Sequence, residues 1–550
     1  MALKGVAEGF RRAVSSLLAA AADGFSAERA LPSPPDCADS AHALRLSGCH
    51  VVDARRGVVR KNASLVIQDG LVRRVEKAGE SSGIPCREFD LGGKFVMPGL
   101  IDAHCHVTMP STFGIRPTPA DALRHYRQIR DNMRRCLCSG VTLIRDTGSF
   151  PLIMRALLEE MGAGSLEGPR VRHCNALLNI AGGHPDVPAR AVNIFAGPAS
   201  IVMGKFKTDF TSARNLEEVL RENSRNASFI KITIDEKSIF CGKDAIPAYT
   251  DTHLARIFDY AEKTGLGVAC HCMTRRGLRR LLNYPIRTLE HVVSDMPLDD
   301  ADVRAIRQRG IAVVPTASLG NTYLMEEAYE SLPRRFRSDF VEEELAIRRQ
   351  YLENVPREHC DPIIHAMNKK RIKAYRTTAW EKLPGKNKFL PNPEIFFRAL
   401  LVGMPNLQKL REAGVAIGCG MDAGMPLSYF GALYREMETL VRVGFSHREA
   451  LNCATWQNAV ILGMEDRAGS LEAGKYADFV VLDENPLADV SACRSPLAVW
   501  KDGKPVFVKD GYVMGEGPGD HPGEDGCFPV PPGFGPVPAY EMAPGDFGMA

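Results

Sequence analysis

Short apolar runs joined by turns dominate two separate stretches of the chain. In the first stretch, runs such as 64–67 alternate with glycine-containing turns, and this alternation is typical of short β-strands. The same pattern returns much later, where residues 478–482 are again strand-like. The two stretches, 43–96 and 470–511, therefore predict one small β domain that the chain enters, leaves and later completes.

Between these stretches, apolar runs alternate with longer helical segments. The runs lie at 141–144, 229–234, 267–270, 311–314 and 415–418. Alternation of strand and helix predicts parallel βα units and an α/β fold over residues 97–469, for which a barrel is one closed solution. A charged segment at about 325–395 interrupts the alternation after a strand. It predicts a helical insert, either a lid or oligomer contact on the βα-loop face or a solvated excursion.

Both ends of the chain differ from this body. Residues 1–42 combine helically spaced apolar residues with Arg11 and Arg12 and a Pro-rich linker. They predict an amphipathic helix, which we interpret as a docked surface helix or oligomer contact rather than an organelle-targeting segment. Residues 512–550 contain eight Pro, nine Gly and no Lys or Arg. This composition predicts a tail that orders only where it docks.

Composition narrows the range of partners and compartments. The 69 basic and 66 acidic side chains give a formal net charge of +3 over 550 residues, which argues against broad contact with nucleic-acid phosphates. No apolar run predicts a membrane span. The 15 cysteines are scattered and follow no secretory signal, so they predict reduced thiols and a cytoplasmic protein.

Side chains that could bind a metal ion lie at the ends of the apolar runs. An extended strand over 97–106 places His104 and His106 on one face, where two imidazoles can bind one divalent metal ion. Taken singly, such residues are more often core or edge residues. Six candidates at successive strand ends, where barrel enzymes collect their catalytic residues, favour a metal site; they are His104, His106, Lys231, His271, His291 and Asp422.

The order of several motifs resembles the amidohydrolase superfamily, and within it the imidazolonepropionase-like and prolidase-like group. The similarity extends over about 43–510 and leaves out the N-terminal helix, the insert and the tail. The motifs are PGLIDAHCH (98–106), GVTLIRDTG (140–148), GGH (182–184), LEH (289–291), MDAG (421–424), NCATWQNAVILG (452–463) and GSLEAGKYADFVVLDENPL (469–487).

The resemblance implies a distorted (β/α)8 TIM barrel with a small composite β-sandwich. It also implies two divalent metal ions, with Zn²⁺ as first choice and Mn²⁺, Fe²⁺ or Co²⁺ as alternatives. Lys231 would bridge the ions after carboxylation by CO2, since burial beside cations favours the neutral amine. The remaining ligands divide between the ions, with His104, His106 and Asp422 on one and His271 and His291 on the other.

The implied reaction is hydrolysis of an amide or peptide-like C–N bond in a small molecule, a dipeptide or an N-acyl amino acid, by a metal-bridged hydroxide. Asp422 would carry the proton to the leaving nitrogen. His184 is expected to contact the substrate or to be an ordinary loop histidine, and Arg116 and Tyr126 are possible carboxylate contacts. Relatives of this kind are typically homo-oligomers.

Three alternatives stay open at this stage. The first is a mononuclear hydrolase of cyclic amides such as imidazolones or lactams, which Lys231 makes less favoured. The second is a catalytically silent structural homologue, although no ligand position is lost. The third, deamination of a nucleobase or nucleoside on the same barrel, fits poorly because Lys231 and the segment 469–487 favour amide hydrolysis.

Overall fold

A computed structural model describes most of the chain. The predicted N-terminal helix in 1–42, nearly all of the predicted tail and part of the predicted insert lie outside the described residues. The described residues are 43–77, 79–80, 83–112, 119–184, 207–210, 213–237, 245–324, 337–354, 360–373, 393–512 and 514–516.

Strands occupy both flanks and the middle of the described chain. They are β1 (Ala43–Asp53), β2 (Val58–Gln68), β3 (Leu71–Glu76), β4 (Cys86–Asp90), β5 (Phe95–Pro98), β6 (Leu100–Cys105), β7 (Val141–Asp146), β8 (Arg170–His173), β9 (Leu177–Ile180), β10 (Lys207–Phe210), β11 (Phe229–Thr233), β12 (Gly267–His271), β13 (Thr288–Glu290), β14 (Ala312–Val314), β15 (Phe479–Leu482), β16 (Ala498–Lys501), β17 (Lys504–Val508) and β18 (Gly515–Glu516).

Helices alternate with the central strands. They are α1 (Pro119–Cys138), α2 (Pro151–Gly162), α3 (Ala213–Asn223), α4 (Asp251–Thr264), α5 (Arg275–Leu281), α6 (Asp300–Gln308), α7 (Ala317–Thr322), α8 (Asp339–Asn354), α9 (Pro362–Lys373), α10 (Pro393–Arg398), α11 (Met404–Glu412), α12 (Tyr434–Arg442), α13 (His447–Asn452) and α14 (Asn458–Leu462). π-Helical turns join α10 to α11 and α13 to α14, and a 3₁₀ helix spans Val490–Arg494.

Helix α4 illustrates how local sequence sets these boundaries. The Thr250 side chain accepts a hydrogen bond from the backbone N–H of His253, which caps the first turn. Gly265 ends the helix in the left-handed conformation, with a φ of 69°. The buried residues between these caps recur at helical spacing and pack the helix on the strands; they are Leu254, Ile257, Phe258 and Ala261.

Strands from both flanks share one nine-stranded sheet. Strand β1 pairs antiparallel with β2 and parallel with β4 and β5, and β5 pairs antiparallel with β15. The sheet continues from β15 through β16 to β17. Its core is a separate hydrophobic cluster that draws residues from both flanks, among them Leu46, Leu65, Phe89, Phe479 and Trp500.

The central strands form two parallel sheets, β6-β7-β8 and β10-β9-β11-β12-β13-β14. Every residue of β6, β7 and β11 is buried, as expected for parallel strands covered on both faces. The predicted α/β class is confirmed, but the described strands do not form a closed barrel. Between β8 and the larger sheet, Ser228 N–H donates to the His173 carbonyl (2.8 Å), and no strand ladder is formed there among the described residues.

On the other side, residues 416–423 connect the two parallel sheets. The Val313 amide in β14 donates to the Ala416 carbonyl (2.9 Å), and the Ala103 amide in β6 donates to the Cys419 carbonyl (3.0 Å). Asn458 of α14 fixes this arrangement, since its side-chain amide donates to the carbonyls of Ile101 (2.6 Å) and Cys419 (2.7 Å). The connecting segment therefore lies beside the strand that carries the histidine pair.

The described part of the insert packs on the body of the protein. Glu344 of α8 is fully buried and accepts hydrogen bonds from Asn321 (2.7 Å) and Arg442 (2.9 Å). The guanidinium of Arg435 stacks on the ring of Tyr351, 3.4 Å from its centroid. Helix α8 is therefore held by a buried ion pair, an amide hydrogen bond and a cation–π contact rather than extended into solvent.

None of the described helices has both the length and the apolar character needed to cross a bilayer. The cysteines within the described ranges are all free thiols.

Candidate metal centre

The six predicted ligands lie at or near the carboxyl ends of neighbouring strands. His104 is in β6 and His106 directly follows it, while His271 ends β12. Each of the six is buried, with an exposed fraction of at most 8%. The other three are Lys231 in β11, His291 directly after β13, and Asp422 in the segment 416–423.

Asp422 and three imidazoles form the centre of the cluster. Oδ1 of Asp422 lies 3.5 Å from Nε2 of His104 and 3.0 Å from Nε2 of His106. His104, His291 and Asp422 each present one ligand atom, and these three atoms lie within 4.8 Å of one another. Such a group of imidazole nitrogens and a carboxylate oxygen is a donor set that suits a divalent metal ion.

His271 lies at the edge of this group. Its ring centroid is 4.5 Å from that of His291, so it belongs to the same cluster of rings. Its Nε2, however, lies 3.2 Å from a carboxylate oxygen of Asp235. Asp235 also accepts hydrogen bonds from the amides of Met273 (2.7 Å) and Thr274 (3.1 Å). The structure therefore does not place His271 in the tight group of three ligand atoms.

Lys231 brings an amine into this cluster. The side chain is buried, and its Nζ has no hydrogen-bond partner among the described residues. Burial lowers the pKa of Lys231, and this effect outweighs the opposing influence of Glu290. An unpaired ammonium in this position would be costly, so the neutral amine is the form that the surroundings favour.

The protonation states of the cluster follow from burial and neighbouring charge. Burial, with a contribution from the charge of Lys231, lowers the pKa of His104 to about 4. The same two influences hold the pKa of His271 well below its usual range. Burial alone would raise the pKa of Asp422, but His104, His106 and Lys231 outweigh it and lower that pKa. Burial would lower the pKa of His106, but the contact with Asp422 outweighs burial and raises that pKa. The cluster therefore combines neutral imidazoles at His104 and His271 with an ionised carboxylate near neutral pH.

Oxygen atoms in contact with Nδ1 orient the imidazoles of His104 and His106. Nδ1 of His104 lies 2.7 Å from Oε2 of Glu290, and Nδ1 of His106 lies 2.9 Å from the Gly148 carbonyl. Each of these histidines thus donates from Nδ1, and its Nε2 faces Asp422. Metal-binding histidines in proteins are commonly held in this way.

The backbone at two of the candidate ligands adopts an unusual conformation. His291 and Asp422 have φ values of 70° and 55°, in the left-handed region that residues other than glycine rarely occupy. Strained residues of this kind cluster at functional sites. Close backbone approach is a further constraint, because a Cβ at Gly420 would lie 2.7 Å from both Cβ and the backbone nitrogen of His104.

Glu290 is a site residue to which the motif analysis assigned no role. Its carboxylate is completely buried and accepts hydrogen bonds from Arg145 (2.6 Å) and Thr288 (2.6 Å), in addition to its contact with His104. Burial would raise the pKa of Glu290, but Arg145, Lys231 and His104 outweigh it and hold the pKa well below its usual range. The sequence signal for a buried acidic partner was Arg145, because a charged residue inside a buried strand requires a partner of opposite charge.

We expect Glu290→Gln to destabilise the fold and to weaken metal binding. The substitution leaves the Arg145 guanidinium buried without a counter-charge, which typically costs about 3–5 kcal/mol. Loss of the carboxylate behind a metal-binding histidine typically lowers metal affinity by roughly 10- to 100-fold. Urea unfolding and a metal titration would measure the two effects.

The matched control for this prediction is Glu438→Gln. Glu438 pairs with Arg494, whose side chain is 55% exposed, and exposed pairs contribute only about 0–1 kcal/mol. If the two variants lost equal stability, the Glu290–Arg145 pair would not be the stabilising element that its burial indicates.

The other residues considered from sequence fall in different places. The ring of His184 stacks on that of His271 with a centroid distance of 4.0 Å, so this loop histidine borders the candidate centre. The hydroxyl of Tyr126 in α1 donates to Glu160 in α2, a structural contact between helices. Arg116 lies outside the described residues.

Comparison with known proteins agrees with the architecture and the clustered donor set. The sequence profile of the amidohydrolase family matches residues 95–506, and the chain belongs to this family. The superfamily resemblance is thereby confirmed. Membership and the relatives described below identify the protein as a hydrolase that acts on carbon–nitrogen bonds.

Three relatives indicate the breadth of the similarity. Ochratoxinase from Aspergillus niger is 24% identical over 504 residues, which cover 85% of this chain and 86% of that protein. The crystal structure of a Xaa-Pro dipeptidase with bound methionine superposes with a TM-score of 0.61 at 22% identity, covering 84% of this chain and 99% of the other. A putative prolidase from Bifidobacterium longum gives 0.59 at 25% identity, covering 84% and 94%.

Proposed function

We propose that this protein hydrolyses the amide bond of a dipeptide or an N-acyl amino acid at a centre of two divalent metal ions. The observation that carries the proposal is the buried, unpaired Nζ of Lys231 beside a cluster of imidazoles. A plain ammonium there would repel cations, whereas a carboxylated lysine would attract them. The names of the relatives, ochratoxinase and prolidase, support an amide or peptide bond as the substrate.

Formation of the bridging group follows from the chemistry of a neutral amine. The lone pair of Nζ attacks the carbon of CO2, an N–C bond forms, and one N–H proton leaves to solvent. The product is a carbamate whose two oxygens share one negative charge and replace the single amine nitrogen as donor atoms. Burial lowers the pKa of Lys231 and so favours the neutral form that this step requires.

The remaining residues would supply the other donors. His104, His106 and Asp422 would hold one ion, and His271 and His291 the other, which requires His271 to turn its Nε2 away from Asp235. When bound, divalent ions lower the pKa of water from about 15.7 to about 7 and polarise the substrate carbonyl. Zn²⁺ is our first choice for this mixture of nitrogen and oxygen donors.

Asp422 is the proposed proton carrier. Its lowered pKa keeps the carboxylate ionised, so one oxygen can accept a proton from the attacking water and deliver it to the nitrogen that leaves. His184, stacked on His271, is placed to contact the substrate. The fold that accompanies this proposal is a distorted (β/α)8 barrel in which residues 416–423 act as the strand that closes onto β6.

A second candidate is a hydrolase of cyclic amides with one metal ion. The observation that favours it is the tight group of His104, His291 and Asp422, which alone could hold a single ion. A panel of dipeptides, N-acyl amino acids and lactams separates the two candidates. Turnover of lactams alone would overturn the dipeptide or N-acyl amino acid assignment.

We expect purified protein to contain about two divalent ions per chain and a carboxylated Lys231. Elemental analysis measures the ions, and mass spectrometry under CO2-preserving conditions measures the added mass on the peptide that carries Lys231. One ion per chain with an unmodified lysine would favour the cyclic-amide candidate. Protein that stays metal-free after reconstitution would instead indicate a structural homologue.

A further inference from the structure

An apolar pocket opens beside His291, on the carboxyl-end side of strands β12, β13 and β14. About 400 Å³ of space lies between its walls, and this volume includes open solvent at its mouth. Its walls come from the loops after these strands, from α7, and from the π-helical turn between α10 and α11. Residues that define it include Met273, Leu319, Phe396, Ala399 and Met404, together with His291.

The side chains that line this pocket favour apolar ligands over polar ones. Among the described residues, those that line it carry no charged side chain, and the imidazole of His291 is its one titratable group. The hydroxyl of Thr316, which also lines the pocket, already forms a hydrogen bond with Nδ1 of His291 at 2.7 Å. A charged or strongly polar group would therefore lose its hydration without gaining a partner, whereas an apolar group would gain contact with the walls.

The position and backbone of the pocket also point to function. His291 is one wall of the pocket and a member of the candidate metal centre, so a group bound in the pocket lies next to the reacting end of the site. Ala399 and Gly403, the two ends of the π-helical turn Ala399–Gly403, also line the pocket. Such turns are uncommon and occur frequently at functional sites.

We infer that this pocket binds an apolar group, aliphatic or aromatic, carried by the substrate next to the amide bond that is cleaved. The inference rests on the proposed amide hydrolysis and narrows its substrate class. The apolar group could belong to the acyl part of the substrate or to the amino acid that leaves, and the two sources share the same chemistry. Burial of such a group is worth roughly a 10- to 150-fold gain in kcat/KM over a substrate without it.

The test compares matched substrates that differ only in the apolar group. N-Acetylglycine is the reference, N-acetylphenylalanine and N-acetylleucine place the group on the amino acid, and N-octanoylglycine places it on the acyl part. We expect at least one apolar series to exceed the reference by about 10-fold or more. Equal kcat/KM values for all four would overturn the pocket while leaving amide hydrolysis intact.

Variants then connect the preference to the pocket. Ala399→Phe places a ring on the pocket wall. It should reduce the ratio of kcat/KM between apolar and glycine substrates toward one, mainly by raising KM for the apolar substrates. Ala399→Leu should reduce the same ratio by less. Ala301→Phe, on the exposed side of α6, is the control and should leave the ratio unchanged. An unchanged ratio in Ala399→Phe, with folding verified by circular dichroism, would contradict the assignment.

A binding measurement separates failure of the pocket from failure of the proposed function. If neither these amides nor the dipeptides of the panel above are turned over, the proposed function fails, and equilibrium dialysis still tests the pocket. N-Acetylphenylalanine or N-octanoylglycine should then bind about 10-fold or more tightly than N-acetylglycine, and Ala399→Phe should abolish the difference. Equal binding of all these ligands would overturn the inference.

Discussion

Asp422→Asn is expected to lower kcat by about 10²- to 10⁴-fold while the protein retains its metal ions. The amide oxygen can still serve as a ligand, but the side chain can no longer accept a proton from water. Asparagine is also a suitable replacement for the backbone, because it tolerates the left-handed conformation that residue 422 adopts at a φ of 55°. The variant therefore separates proton transfer from folding.

Turnover, metal content and thermal stability should be measured together on this variant. Asp299→Asn is the matched control, since Asp299 caps α6 and asparagine caps helices about as well as aspartate. Activity near that of the unaltered protein would exclude Asp422 as the proton carrier. Loss of the metal together with the activity would instead assign Asp422 a role as ligand alone.

Lys231→Ala is expected to remove most of the bound metal and nearly all activity. The loss should exceed the roughly 10- to 100-fold that follows removal of a residue supporting a metal ligand, because a bridging donor itself disappears. The truncation also opens space beside His271 and His291. Short carboxylates such as acetate or propionate should enter that space and restore part of both metal binding and turnover.

Rescue chemistry identifies the form in which Lys231 acts. Restoration by carboxylates supports the carboxylated lysine, whereas restoration by alkylamines alone would show that the plain amine is required. Lys231→Arg is the matched control, because a guanidinium stays cationic and fills the same space. It should bind no metal with or without added carboxylate, and metal content again provides a measurement independent of activity.

The convergence of the histidine pair and the other strand-end candidates could be predicted because it depends on short-range periodicity. Alternation along β6 is sufficient to place His104 and His106 together, and the motif MDAG gave Asp422. The contact of Asp235 with His271 depends on the segment between β11 and α4, and nothing in the local sequence specifies this contact. The sequence therefore predicted accurately which residues converge. It predicted less accurately which atom of each residue faces the centre of the cluster.

Longer-range features were less accessible from sequence. The partner of Arg145 is Glu290, which is 145 residues away in the chain, and only the fold brings the two charges together. The charged insert suggested a solvated surface as one alternative, yet Glu344 is completely buried among arginine and asparagine side chains. The apolar pocket draws its walls from several separate elements, so no single window of sequence contains its pattern.

The pairing of β5 with β15 has a consequence for the chain during its synthesis. Lys94 and Asp483, which form an ion pair at this junction, are separated by 389 residues, so at about 5–20 residues per second a ribosome needs on the order of a minute to supply the second partner. Until then the edge of β5 is open to pairing with other nascent chains. Translation stopped ahead of β15 would leave an unfinished sheet prone to aggregation.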